Sequence, residues 1–133
     1  MAAQPSRPAG LLAACTFFAV AGLLELALSL WELPRPWAFW AAWEALGRSL
    51  FHFVLAWGLW NRIALCRTIA LVYCLAAIIL YVAVLALALG GAPLRYPASL
   101  VIQSLYQVPS SVLLFAYLRS PRAGAVFTRP LFG

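Results

Sequence analysis

The sequence predicts an all-α integral membrane protein, a four-helix transmembrane bundle with short loops, forming a single domain over residues 1–133. Three observations predict it. Hydrophobic residues make up 66% of the chain and charged residues 9%, with a mean hydropathy of +0.98, which leaves too little polar surface for a water-soluble domain of this size. Apolar runs of bilayer-spanning length, about 20 residues or more, recur between short turn signals. Tryptophans stand at both ends of the run from Trp37 to Trp60, as an interfacial aromatic belt does.

Met1 to Ala9 is a short polar leader with two prolines. The first helix is expected over about 10–33. Arg7, the apolar run and Ala27-Leu28-Ser29 imitate a signal peptide. The run is longer than a signal peptide's apolar core, so it reads as a first membrane helix. Ala21, Gly22, Glu25, Ser29 and Glu32 share one of its faces, and the small residues there permit close helix approach. Pro34-Arg35-Pro36 ends the helix and reverses the chain, because proline cannot continue the hydrogen-bond ladder.

The second helix, about 37–60, begins among Trp37, Trp40 and Trp43. Asn61 and Arg62 mark the next aqueous edge, and a third helix is expected over 64–89, apolar apart from Tyr73 and Tyr81. Gly90-Gly91-Ala92-Pro93 signals a turn. The fourth helix is expected over about 96–118, with Ser99, Gln103, Gln107 and Ser110 on one side and a kink at Pro109. The tail from Arg119 to Gly133 is expected at the membrane surface. Pro-Arg-Pro in the first hairpin and Pro-Leu-Arg in the second echo each other, which short turns between apolar helices produce without any duplication.

All the basic character, a net charge of +6, comes from arginine, since lysine is absent. Arg7, Arg62, Arg67, Arg119, Arg122 and Arg129 fall on one side of the expected bundle, and Arg35 and Arg95 on the other, which places both termini in the cytoplasm. The lysine-free, arginine- and alanine-rich usage fits a GC-rich bacterial genome, hence a multi-pass protein of the bacterial inner membrane. No basic cluster is interleaved with stacking aromatics, so nucleic acid is not an expected partner. Cys15, Cys66 and Cys74 lie in apolar runs without metal-ligand spacing and read as packing residues.

One constellation could carry chemistry. Glu44, Arg48 and His52 succeed one another at i, i+4 steps inside the second helix. Burying such groups in hydrocarbon costs roughly 2.5–3.5 kcal/mol each on insertion scales. Counted outward from Arg35, Glu25 and Glu44 lie at about the same depth, roughly 13–15 Å from the turn. Gln107, counted from Arg95, reaches a depth near that of Arg48. The expectation is one buried polar cluster of Glu25, Glu44, Arg48, His52, Gln103 and Gln107, with Ser29 nearby. Arg48 bridging two carboxylates could simply fix helix register. Alternatively, a carboxylate and His52 could form a proton-responsive or substrate-binding site. Glu25, Glu44 and His52 have the ligand types for a metal, but Arg48 in their midst would repel a cation, so no metal is expected. Nothing supplies a bis-histidine haem site, a nucleophile elbow, a phosphate loop or a Schiff-base lysine, and neither a catalytic residue nor a cofactor is expected.

Trp60-Asn61-Arg62 through Ser120-Pro121-Arg122-Ala123-Gly124-Ala125-Val126-Phe127 resembles small four-helix bacterial inner-membrane proteins of unassigned function. These pair an arginine-bearing turn before the third helix with a short Ser-Pro/Arg/Phe tail after the fourth. The resemblance covers about half the chain and implies topology only. Glu25 is similar in placement to the acidic residue of small four-helix multidrug exporters, whose pattern the surrounding Ala21-Gly22-Leu23-Leu24 does not carry. The leading expectation is a non-enzymatic accessory or assembly subunit, or an oligomeric component, whose partners are the bilayer and other membrane subunits or copies of itself. A small proton-coupled transporter or channel is the alternative, and a membrane immunity-type protein the third.

Overall fold

The computed structural model describes residues 8–34, 39–90 and 98–128. Every regular element among them is helical: α1 (Ala9–Glu32), α2 (Phe39–Trp60), α3 (Ala64–Leu89), α4 (Ala98–Arg119) and a short α5 (Pro121–Val126). The expected starts of the second and fourth helices at 37 and 96, and the turn arginines Arg35 and Arg95, lie outside the described residues, as do Arg7 and Arg129.

α1 and α3 are long and apolar enough to cross a membrane. Their side chains also face outward in quantity. Leu23, Leu24, Leu28, Leu30 and Trp31 of α1 are each more than half exposed, as are Val72, Ile79 and Leu80 of α3. Apolar exposure on this scale marks a surface for lipid or for another protein. α2 and α4 match them in length but carry polar and charged side chains.

The chain divides into two compact units. The first runs to Cys66 and takes in Phe127; its body is the antiparallel pair α1 and α2. Leu11, Ala14, Phe18, Gly22 and Ser29 line the inner side of α1. Ala42, Ala45, Ser49, His52, Leu55 and Leu59 line that of α2, at the three- and four-residue steps of a helix stripe. Small residues bring the backbones close enough for two hydroxyl–carbonyl bonds. Ser29 Oγ donates to the Ala42 carbonyl at 2.8 Å, and Ser49 Oγ donates to the Gly22 carbonyl at 2.8 Å. Seven residues separate the two bonds on each helix, so they share one register and lie about 10 Å apart. The phenyl ring of Phe53 covers Gly22, 3.1 Å from where a Cβ would stand.

α2 ends in a Schellman turn. Arg62 N–H reaches the Leu59 carbonyl at 3.0 Å, and Ile63 N–H reaches the Gly58 carbonyl at 2.9 Å. Arg62 holds the left-handed conformation at φ 61°, usually glycine's place in this motif. Asn61 caps further by donating from Nδ2 to the Trp57 carbonyl at 2.9 Å. The reversal brings Cys66 onto Gly58, where its Sγ and Cβ occupy the space a side chain would need. The predicted aqueous edge is therefore a tight turn, and α3 starts at the expected residue.

The second unit holds α3 from Arg67, α4 and α5. Its buried positions are Ala70, Cys74, Ala77 and Val84 on α3, and Ser104, Gln107, Ser111, Leu114 and Leu118 on α4. The α4 set follows alternating three- and four-residue steps, the pattern of a helix seam, and the α3 set follows it from Ala70 to Ala77. Two hydrogen bonds set α3 and α4 antiparallel. Arg67 Nε donates to the Leu118 carbonyl at 2.7 Å, satisfying one of the last carbonyls of α4. Gln103 Nε2 donates to Tyr81 Oη at 3.0 Å. α4 continues through Pro109, and Ser110 Oγ donates to the Tyr106 carbonyl at 2.8 Å beside it.

The tail differs from expectation in containing α5. Ser120 Oγ accepts from Ala123 N–H at 3.2 Å, an N-cap bond, and Pro121 takes the first helical position, where its missing N–H costs nothing.

Candidate functional site

The polar constellation forms in the first unit around Arg48. Its Nε lies 3.2 Å from Glu25 Oε2 of α1, and its Nη1 donates to Glu44 Oε1 one turn back on α2. Two carboxylates thus converge on one guanidinium, whose planar fork can serve both. The register set by the two serine bonds places Glu25 between Glu44 and Arg48 in depth, close to the level that counting from Arg35 predicts.

The expected burial holds for only part of the cluster. The Glu44 side chain is 70% exposed and that of Arg48 47%, whereas Glu25 keeps 16% and the His52 residue only 3%. The cause is helical geometry. At 3.6 residues per turn, each four-residue step rotates a side chain about 40° around the axis. The row Glu44–Arg48–His52 therefore winds from the outer flank of α2 into its seam. Arg48 is accordingly a bridge at the edge of the pair and not a buried ion.

His52 lies in the seam between aromatic rings, its centroid 6.0 Å from that of Phe18 and 5.9 Å from that of Phe51. Gln103 and Gln107 belong to the second unit, where Gln103 is bonded to Tyr81 and Gln107 is buried. Ser29, expected near the cluster, is buried in the hairpin and binds a backbone carbonyl.

Ser49 is the contributor that the sequence reading passed over. It lies one residue beyond Arg48 and anchors α2 to α1 beneath the charged bridge. The small and polar series Ala42, Ala45, Ser49 at three- and four-residue steps is the signal that would have found it. Cys15, Cys66 and Cys74 are buried free thiols. Among the described residues, no group of three histidine, cysteine, aspartate or glutamate side chains could hold a metal ion.

The arrangement can fix the lateral position of charge on a helix of membrane-spanning length. It also presents a graded row of titratable groups, from open to enclosed. The chain matches no protein-family model, no curated protein and no solved structure, so the site's own geometry carries the functional reading.

Proposed function

We propose that the chain is a multi-pass protein of the bacterial inner membrane, crossing it with four helices, and that it acts without catalysis as an accessory or assembly subunit. The observation that carries this reading is the position of Glu44 and Arg48. Arg48 lies nine residues into the 22-residue α2, about 13 Å from its start and near mid-span. Both side chains open outward from a hairpin whose seam is already filled by small residues and serine bonds. Charged groups left facing hydrocarbon cost roughly 2.5–3.5 kcal/mol each. Lateral protein contact removes much of that cost, so the flank reads as one that another membrane protein covers.

Extraction in mild detergent followed by native mass spectrometry tests this. A defined assembly larger than one chain is the expected result. A solitary chain, in detergent and in membranes, overturns the proposal.

The winding row from Glu44 to buried His52 favours one second reading, a proton-coupled transporter. That reading requires pH-dependent flux into proteoliposomes that Glu25→Gln and His52→Ala abolish.

A further inference from the structure

α2 carries two stripes. The inner one binds α1. The outer one, Trp40, Glu44, Gly47, Phe51 and Val54, advances by alternating four and three residues, the spacing that seats one helix against another. All five positions are exposed, Trp40 at 81% and Val54 at 58%. Gly47 stands at the middle, with nothing within 4 Å of the place a Cβ would take. A bare glycine between large neighbours leaves a notch through which a second backbone can approach. Glu44 and Arg48 flank that notch.

The charge balance selects the occupant. Glu25 and Glu44 together carry two negative charges when ionised, and Arg48 returns one. In that state the flank is one positive charge short, and the more exposed carboxylate, Glu44, is where a further donor can reach. A second copy of the chain would not supply it. In a two-fold pair about an axis along the membrane normal, each Glu44 meets the other at one depth, bringing two negative excesses together. A helix with a lysine, arginine or charged histidine opposite Glu44 completes the balance.

We infer that the outer stripe of α2 docks a transmembrane helix of a different protein, one that presents a basic side chain beside Glu44. This rests on the membrane-subunit reading and adds the partner's chemistry to it.

The test uses the full chain in lipid vesicles and two synthetic probes: Leu/Ala transmembrane peptides of about 20 residues, alike except for one central lysine. Energy transfer between labelled chain and labelled peptide reads association. The lysine peptide is expected to bind at least about tenfold more tightly than its all-apolar twin. Glu44→Gln should erase that difference, and Glu44→Asp should keep most of it. Gly47→Leu should weaken both peptides by closing the notch. Equal binding of the two peptides overturns the inference, as does a lysine preference that survives Glu44→Gln.

A photo-crosslinker at position 47 in native membranes gives the second measurement. Crosslinks to another protein's membrane helix, with a basic residue within one turn of the attachment point, support the inference. Crosslinks to a second copy of the chain, or to a helix without such a residue, overturn it. Native mass spectrometry separates the two levels. A solitary wild-type chain defeats the subunit reading, whereas an assembly that Glu44→Gln leaves intact defeats only this docking face.

Discussion

The two units solve the same problem by different means. Each pairs an apolar helix, α1 or α3, with a more polar one of similar length, α2 or α4. In the first unit, the polar contacts are close-set: two serine hydroxyls, two turns apart, reach across to backbone carbonyls, and a charged bridge lies on the flank between them. In the second, the bonds of Arg67 with Leu118 and of Gln103 with Tyr81 stand about four turns apart. The contrast teaches that a helix pair can be held by close-set bonds or by bonds placed far apart. Within a bilayer, apolar surface gives helices no reason to prefer one another over lipid, so packing and hydrogen bonds must supply association. Both helices of each pair supply polar groups: Glu25 and Ser29 of α1 with Arg48 and Ser49 of α2, and Arg67 and Tyr81 of α3 with Gln103 of α4.

Substitutions can break or sharpen this comparison. Gly58→Ala should have the largest effect, up to about 3 kcal/mol, because the new methyl collides with Cys66. Hydrogen exchange should show α1 and α2 losing protection ahead of α4; equal loss everywhere would dissolve the distinction between units. Arg67→Ala should cost about 2 kcal/mol, through the charge-assisted bond to the Leu118 carbonyl, and should loosen α4 and α5 first. A melt in detergent unchanged by that substitution would remove the end-clasp from the account. Arg62→Gly should act in the opposite direction, raising stability by about 1 kcal/mol, because glycine holds the left-handed turn without strain. No gain in the same melt would mean that the arginine side chain contributes as much as its backbone costs. Ser49→Ala and Ser29→Ala should be mildest, about 0.6 kcal/mol each. Their double mutant, followed by reversible unfolding in mixed micelles, should be close to additive, since the two bonds lie two turns apart.

The helices were legible because their punctuation is strong. Asn61-Arg62 and Gly90 bracket α3, and its observed range agrees with the expected one. α5 escaped because six residues hold no periodic pattern, although Ser120-Pro121 is a recognisable helix start. For the site, sequence spacing gave the depths of Glu25, Glu44 and Arg48 well, since rise per residue is nearly constant. Burial was the weaker inference. An i, i+4 row is not parallel to the helix axis, and sequence alone does not say where a seam cuts across it. The seam falls through Ser49 and His52, leaving Arg48 at its edge and Glu44 outside.

The paired serine bonds also govern how the first hairpin can move. Each hydroxyl reaches a carbonyl on the opposite helix, and the next equivalent carbonyl on that face lies a full turn away, about 5.4 Å. Small axial slides therefore forfeit both bonds without offering replacements. α1 cannot work as a piston against α2 by fractions of a turn. A push on one end of the hairpin is delivered as tilt or rotation of the whole pair, which makes α1 and α2 a lever and not a slide.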